Sequence, residues 1–161
     1  MEEEFKKFSN DTAYFSLNGI NTFARVVNVV DGDTISLIIP IFDKYFKFRV
    51  RINGIDTCEI HSNDKKIKDK GLKAKYRVIE LLSKQNVLCT TKKQIIDLFN
   101  NNIYIVWVEC LGFDKYGRLL ANVFFDNKTK SIANILIDEK LAYNYNGSTK
   151  LTEEEQKQQI E

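Results

Sequence analysis

The sequence is short of the residues that punctuate or break a chain: its 161 residues include one proline, Pro40, and seven glycines. That scarcity argues against long linkers and low-complexity arrays and favours one folded domain, long enough to bury a core unaided. There is one histidine, His61, and the three cysteines, Cys58, Cys89 and Cys110, show no metal-ligand spacing and cannot all pair internally. Reduced thiols fit an intracellular protein, cytoplasmic or nuclear. No apolar run approaches the ~20 residues needed to span a bilayer. The start, Met-Glu-Glu-Glu-Phe-Lys-Lys, carries acids where a secretory leader needs a basic end and an apolar stretch. No membrane is therefore expected among its partners.

What is present is an ordinary globular composition, 43% hydrophobic and 29% charged, with a net charge of +2 that conceals an asymmetry. The segments 1–7 and 153–161 hold seven acids and three bases, so the remainder carries 21 bases against 15 acids, or +6. That is a mild pull toward polyanions, and solvated lysines account for it as readily. Residues 1–20 read as an N-terminal arm and 21–161 as the folded domain, with 86–102 as an insertion. From Phe23 the pattern is β: a branched run over 24–30, a turn at Asp31-Gly32-Asp33 whose residues tolerate positive φ, a return over 34–39, and Pro40 ending the ladder. Residues 45–52 alternate aromatic or aliphatic with basic side chains, which puts Phe46, Phe48, Val50 and Ile52 inward and Arg49 and Arg51 together on the other face. Helical spacing of Ala74, Val78, Leu81 and Leu82 predicts a helix over 70–84. Thr91 and Gln94 suit a capping box for a second helix within 86–102. Strands over 103–110 and 119–125 follow, then a turn at Asp126-Asn127 and a helix over 131–139. Five strands with a helix between the third and fourth predict a β-rich α+β fold, a five-stranded OB barrel with about three helices.

Three segments carry the chemistry: Asp31-Gly32-Asp33-Thr34, Arg51 to Glu59, and Asp114-Lys115-Tyr116-Gly117-Arg118. Asp33 and Asp56 sit at strand ends, where short carboxylates converge on a hard cation. Glu59 has the reach to hold or deprotonate a water. Arg51 and Arg118 offer paired donors that match phosphate oxygens and never deprotonate. Taken singly, each has a plain alternative as a turn acid or a surface arginine. The acids do not form an EF-hand, since no third acid and no glutamate at the twelfth position follow.

Together, in order and separation, these segments resemble the staphylococcal nuclease family, with the likeness running from about Phe23 to Lys150. The Asn146-Gly147-Ser148-Thr149-Lys150 tail is closer to non-secreted members. The resemblance implies a Ca²⁺-dependent nuclease that cleaves DNA and RNA, single strands favoured, and leaves 3′-phosphate ends. It implies Asp33, Asp56 and the Thr57 carbonyl as metal ligands, and Arg51, Glu59 and Arg118 as catalytic residues. Lys115 and Tyr116 match positions that touch a terminal phosphate of bound nucleotide, and Leu120 one that lines a base pocket. Tyr143 and Tyr145 are candidates for the base site's aromatics, with plain packing as the alternative. A monomer is expected, with a third helix confined to 152–160.

Two departures from the family stand out. Cys58 occupies a position where the family usually has proline, so the loop carrying Glu59 loses a φ restraint. The 86–102 stretch has no counterpart in the basic pattern. His61 reads as a loop residue, and the lysines of 65–77 as either a steering patch or a solvated helix face. The competing functional readings are a catalytically silent nucleic-acid-binding or scaffold domain of the same fold and, more remotely, an adaptor for other partners.

Overall fold

In the computed structural model the described residues are 1–86, 91–125 and 128–160. The chain runs α1 (Glu2–Phe5), β1 (Asn21–Asp31), β2 (Thr34–Ile41), β3 (Lys44–Ile52), β4 (Ile55–Asp56), α2 (Lys65–Ser83), α3 (Lys92–Asn101), β5 (Ile105–Phe113), β6 (Leu119–Phe124), α4 (Ile132–Asp138), β7 (Tyr143–Asn144) and α5 (Glu153–Ile160). Strands β1, β2, β3, β6 and β5 close in that order into a barrel. All neighbours are antiparallel except β3 and β6, which run parallel from Val50↔Leu119 to Ile52↔Ala121. This is the five-stranded OB barrel that the sequence predicts.

Closure depends on β1, which pairs with β2 along its second half and with β5 along its first. Register shifts at Val26/Asn28 and Val29/Asp31 add the local bend a barrel strand needs. Period-2 alternation then fills the interior with Ile35, Leu37 and Ile39 from β2, Val106 and Val108 from β5, and Leu119, Ala121 and Val123 from β6. Leu17 of the N-terminal segment is also fully buried in this core.

Among the described residues there are five helices, two of them short additions to the three or so expected. α1 is a single turn, and α3 forms within the 86–102 stretch. The capping box predicted for α3 is present, with Thr91 accepting from the Gln94 amide and the Gln94 side chain accepting from the Thr91 amide. Its Ile95 and Phe99 are buried in the main core, and Arg25 of β1 donates to the Phe99 and Asn100 carbonyls at its C-terminus. α2 begins five residues before the predicted start because Asp64 caps it, accepting from the Lys66 and Ile67 amides. Cys89 and the Asp126-Asn127 turn lie outside the described residues.

Three expectations change. Phe46, assigned inward, is 45% exposed, because β6 covers β3 only from Val50 onward and the barrel wall is open at the hairpin end. Arg51, on the outer face, is nevertheless buried because β4 and β7 lie across it, as the contacts below show. Gly32 does not have positive φ. Its need is steric: a Cβ there would lie 2.7 Å from the Ala74 Cβ of α2 and 2.9 Å from the Thr57 Cγ2. The absence of a side chain is what lets α2 and the Asp56–Glu59 loop close on the β1–β2 turn.

Candidate active site

The β1–β2 turn, the end of β3 and β4 meet on one side of the barrel. The Ile52 amide donates to the Asp33 carbonyl at 2.8 Å, tying the turn to β3. Asp33 is held on both carboxylate oxygens. Thr34 Oγ1 donates to Oδ1 at 3.0 Å, while the Thr57 amide and hydroxyl each donate to Oδ2 at 3.1 Å. The Arg51 guanidinium then spans the two acids, 2.7 Å from Asp56 Oδ1 and 3.4 Å from Asp33 Oδ2. It also donates to the Ile55 carbonyl at 2.7 Å and the Ile52 carbonyl at 3.2 Å. Tyr143 donates its hydroxyl to Asp56 Oδ2 at 2.5 Å.

Burial and neighbouring charge separate the acids. Burial alone would raise Asp33, but the Arg51 charge and hydrogen bonds from its neighbours hold it below the ordinary carboxylate value. Burial raises Asp56, and proximity to Asp33 adds to the rise. Asp31, behind the turn, is pushed up to about 7 by burial and then by Asp33. Two buried, mutually perturbing carboxylates with oxygen donors around them suit a hard cation, which would relieve the repulsion that raises Asp56. Among the described residues no three His, Cys, Asp or Glu side chains gather as a metal cluster. An ion at this place would therefore draw its charge balance from two acids and fill its shell with neutral oxygens and water.

Glu59, on the loop after β4, has its side chain 63% exposed. Lys150 bridges it to the buried pair, 3.6 Å from Glu59 Oε1 and 3.4 Å from Asp56 Oδ1. Burial tends to lower the Lys150 pKa, but Asp56, Glu59 and Asp33 overcome that and raise it. Across a groove of about 380 Å³ from Arg51 stands the β5–β6 hairpin. Asp114 there accepts from the Tyr116 and Arg118 amides at 2.8 and 2.9 Å and from Arg118 Nε at 2.6 Å. Burial would raise Asp114, yet these hydrogen bonds and the Arg118 charge keep it low, so the acid acts as a fixed mount for Arg118.

Two arginines facing one groove beside a buried acid pair form the layout that motif order anticipates. A model of the staphylococcal nuclease homologue family matches residues 49–161. The chain belongs to the staphylococcal nuclease family. Domains of that family are generally nuclease-type hydrolases. The Asp31–Thr34 turn precedes the matched stretch and is brought against it by the fold, through the Ile52 amide and Thr57. An uncharacterized protein of Methanocaldococcus jannaschii is 30% identical over 139 residues, a match that takes in 76% of this chain and 57% of that protein. The chain thus spans little more than half the length of that relative. Among the described residues no helix is long and apolar enough to cross a membrane.

Of the residues singled out by sequence, Asp33, Arg51, Asp56 and Thr57 are brought into direct contact, with Glu59 beside them through Lys150. Arg51, Lys115, Tyr116, Arg118, Leu120 and Tyr145 line the one groove. The Tyr145 ring lies 5.7 Å from the Arg51 guanidinium, and the Tyr116 ring 5.5 Å from that of Arg118. Tyr143 is placed differently from its expected role as a base-site aromatic. It is 3% exposed, and β7 pairs it with Asp56 so that its hydroxyl points into the acid pair. His61 is exposed in a turn. Cys58 is buried against Ile67, and its carbonyl packs on Gly71. Packing from α2 thus supplies the restraint that a proline ring would have given. Sequence reasoning missed Lys150, which has no local motif, and the mounting role of Asp114, which the Asp-Lys-Tyr-Gly-Arg turn could have signalled.

Proposed function

We propose that this staphylococcal nuclease homologue is an intracellular Ca²⁺-dependent nuclease that hydrolyses phosphodiester bonds of DNA and RNA, single strands favoured, and releases 3′-phosphate ends. The observation that carries the reading is the pairing of Arg51 and Arg118 across one groove beside the buried Asp33–Asp56 pair. Asp33, Asp56 and the Thr57 carbonyl would hold Ca²⁺, which supplies positive charge against a non-bridging phosphate oxygen. Arg51 and Arg118 grip the scissile phosphate from two sides and stabilise the charge that builds on it. Glu59, positioned by Lys150, orients a water and takes its proton. The water oxygen forms the new bond to phosphorus, the P–O5′ bond breaks, and the departing oxygen takes up a proton as the 5′ hydroxyl. Lys115 and Tyr116 receive the adjoining phosphate, and Leu120 and Tyr145 face the base. Tyr143 keeps Asp56 oriented.

The test is digestion of labelled single-stranded DNA and RNA with Ca²⁺, with EDTA, and by Glu59→Ala. Cleavage undiminished by EDTA or by the substitution would overturn the proposal. A second reading has one observation in its favour: Arg51 is buried and its guanidinium is held by Asp56 and by the Ile52 and Ile55 carbonyls, which suits a domain that binds nucleic acid without cutting it. Binding of single-stranded DNA with no cleavage in millimolar Ca²⁺ would establish that reading instead.

A further inference from the structure

Strand β3 does not end its basic character at Arg51. Successive side chains alternate across a strand, so Tyr45, Lys47 and Arg49 share the outward face with Arg51. The β2–β3 register agrees, since their partners Pro40 and Ile38, half-buried, and Ser36, buried but polar, alternate with the core residues Ile35, Leu37 and Ile39. None of these β2 partners is an acid. Lys47 and Arg49 are exposed, and no hydrogen bond or ion pair among the described residues engages either. β6 begins its pairing only at Val50↔Leu119, leaving this stretch of β3 open. One step back in the same register brings Arg49 level with Arg118.

The far end of this line is aromatic. Tyr45 is 76% and Phe42 75% exposed, and both border a shallow hollow of about 400 Å³. Phe42 has a φ of +51°, a region that a bulky side chain enters only at a cost. A strained ring turned to solvent has little stabilising return in the fold, since its one ring neighbour among the described residues, Phe15, lies 6.2 Å away and is itself largely exposed. From Arg51 to Tyr45 the strand covers about 20 Å at its usual rise. It presents a cation, a cation and then two rings.

We propose that this face is a second stretch of the nucleic-acid path, in which Lys47 and Arg49 take backbone phosphates and Phe42 and Tyr45 stack a base. The occupant is the part of a single strand that continues beyond the groove. Cations that track the backbone beside rings that accept any base suit single-stranded nucleic acid. The proposal rests on the nuclease reading and extends it from the cleaved bond to the length of strand held. Lysines also guard open strand edges against pairing with other chains, and the experiment separates that role from this one.

Binding of a labelled deoxythymidine dodecamer and a trimer is measured by fluorescence anisotropy over a range of salt, in a Glu59→Gln background. The Lys47→Ala/Arg49→Ala double variant should bind the dodecamer more weakly. Its log–log salt slope should be shallower by about 1.4, the value for two phosphate contacts on a single strand. Affinity for the trimer should be unchanged. The charge-preserving Lys47→Arg/Arg49→Lys variant should keep the parental slope, and thermal melts should show that both variants are folded. Equal losses for both lengths, or an unchanged dodecamer slope, would overturn the second stretch while leaving the nuclease reading intact. Failure of the parent to bind either oligomer would overturn both.

Discussion

At the residue scale the site is a set of charges that hold one another in place. Arg118 is mounted on Asp114, so Arg118→Ala should lower kcat by about 10²–10³, the usual loss on removing one donor to a charged transition state. Asp114→Asn should lower it less, because the mount weakens while the guanidinium remains; steady-state kinetics on one oligonucleotide ranks the two. Tyr143→Phe removes a buried hydroxyl from Asp56 and should destabilise the fold by about 1–3 kcal/mol, read from urea denaturation. A stacking residue would instead raise KM and leave stability alone. Burial pushes the Cys58 thiol up to about 11. At pH 8 it should resist alkylation in the native protein and react only after unfolding, as peptide mapping would show. The charged residues were legible in the sequence because their types suit metal and phosphate chemistry and their motifs, in order and separation, resemble those of one family. The role of Tyr143 was not, since parity along a two-residue strand does not say which neighbour its hydroxyl meets.

At the scale of elements, α2 clamps the loop that bears Glu59. A Cβ on Gly71 would lie 2.4 Å from the Cys58 carbonyl oxygen, a backbone atom with little room to yield. Gly71→Ala should therefore displace the loop bearing Glu59, lowering both the melting temperature and activity, despite alanine's higher helix propensity. Gly112→Ala meets nothing within 4 Å and serves as the control. The other end of α2 is tied to α4 by Arg77, whose Nη2 lies 2.8 Å from Glu139 Oε1. That hydrogen bond holds the Glu139 carboxylate below its ordinary 4.5. The sign follows from the lowered folded value: the pair stabilises above pH 4.5 and loses its contribution as pH falls through the folded pKa. Both partners are about one-third exposed, so the effect is at most about 1 kcal/mol. Arg77→Met should flatten the acid limb of the stability curve by that amount. Element identity was legible from periodicity and capping signals, as with Thr91 and Gln94. Boundaries shifted where a cap, such as Asp64, overrode the apolar pattern.

At the scale of the whole molecule, barrel closure brings Arg51 and Arg118 to one groove and packs Asp33 and Asp56 against Arg51. An ion held there by two carboxylates should bind loosely. Activity should rise through millimolar Ca²⁺ and be poor in Mg²⁺, which demands stricter octahedral geometry; a metal titration with labelled DNA checks both. Residue type and local pattern were enough for the fold class, the succession of strands and helices and, through resemblance to one family, the candidate acids and arginines, because hydrophobic period and motif spacing are local. Tertiary structure alone decided that Arg51 is buried, that Lys150 joins Glu59 to Asp56, that Tyr143 faces an acid, and that Gly32 and Gly71 are needed for contact with another element. Each of those depends on which distant backbone lies within a few ångströms, and only closure of the barrel and docking of α2 set that distance.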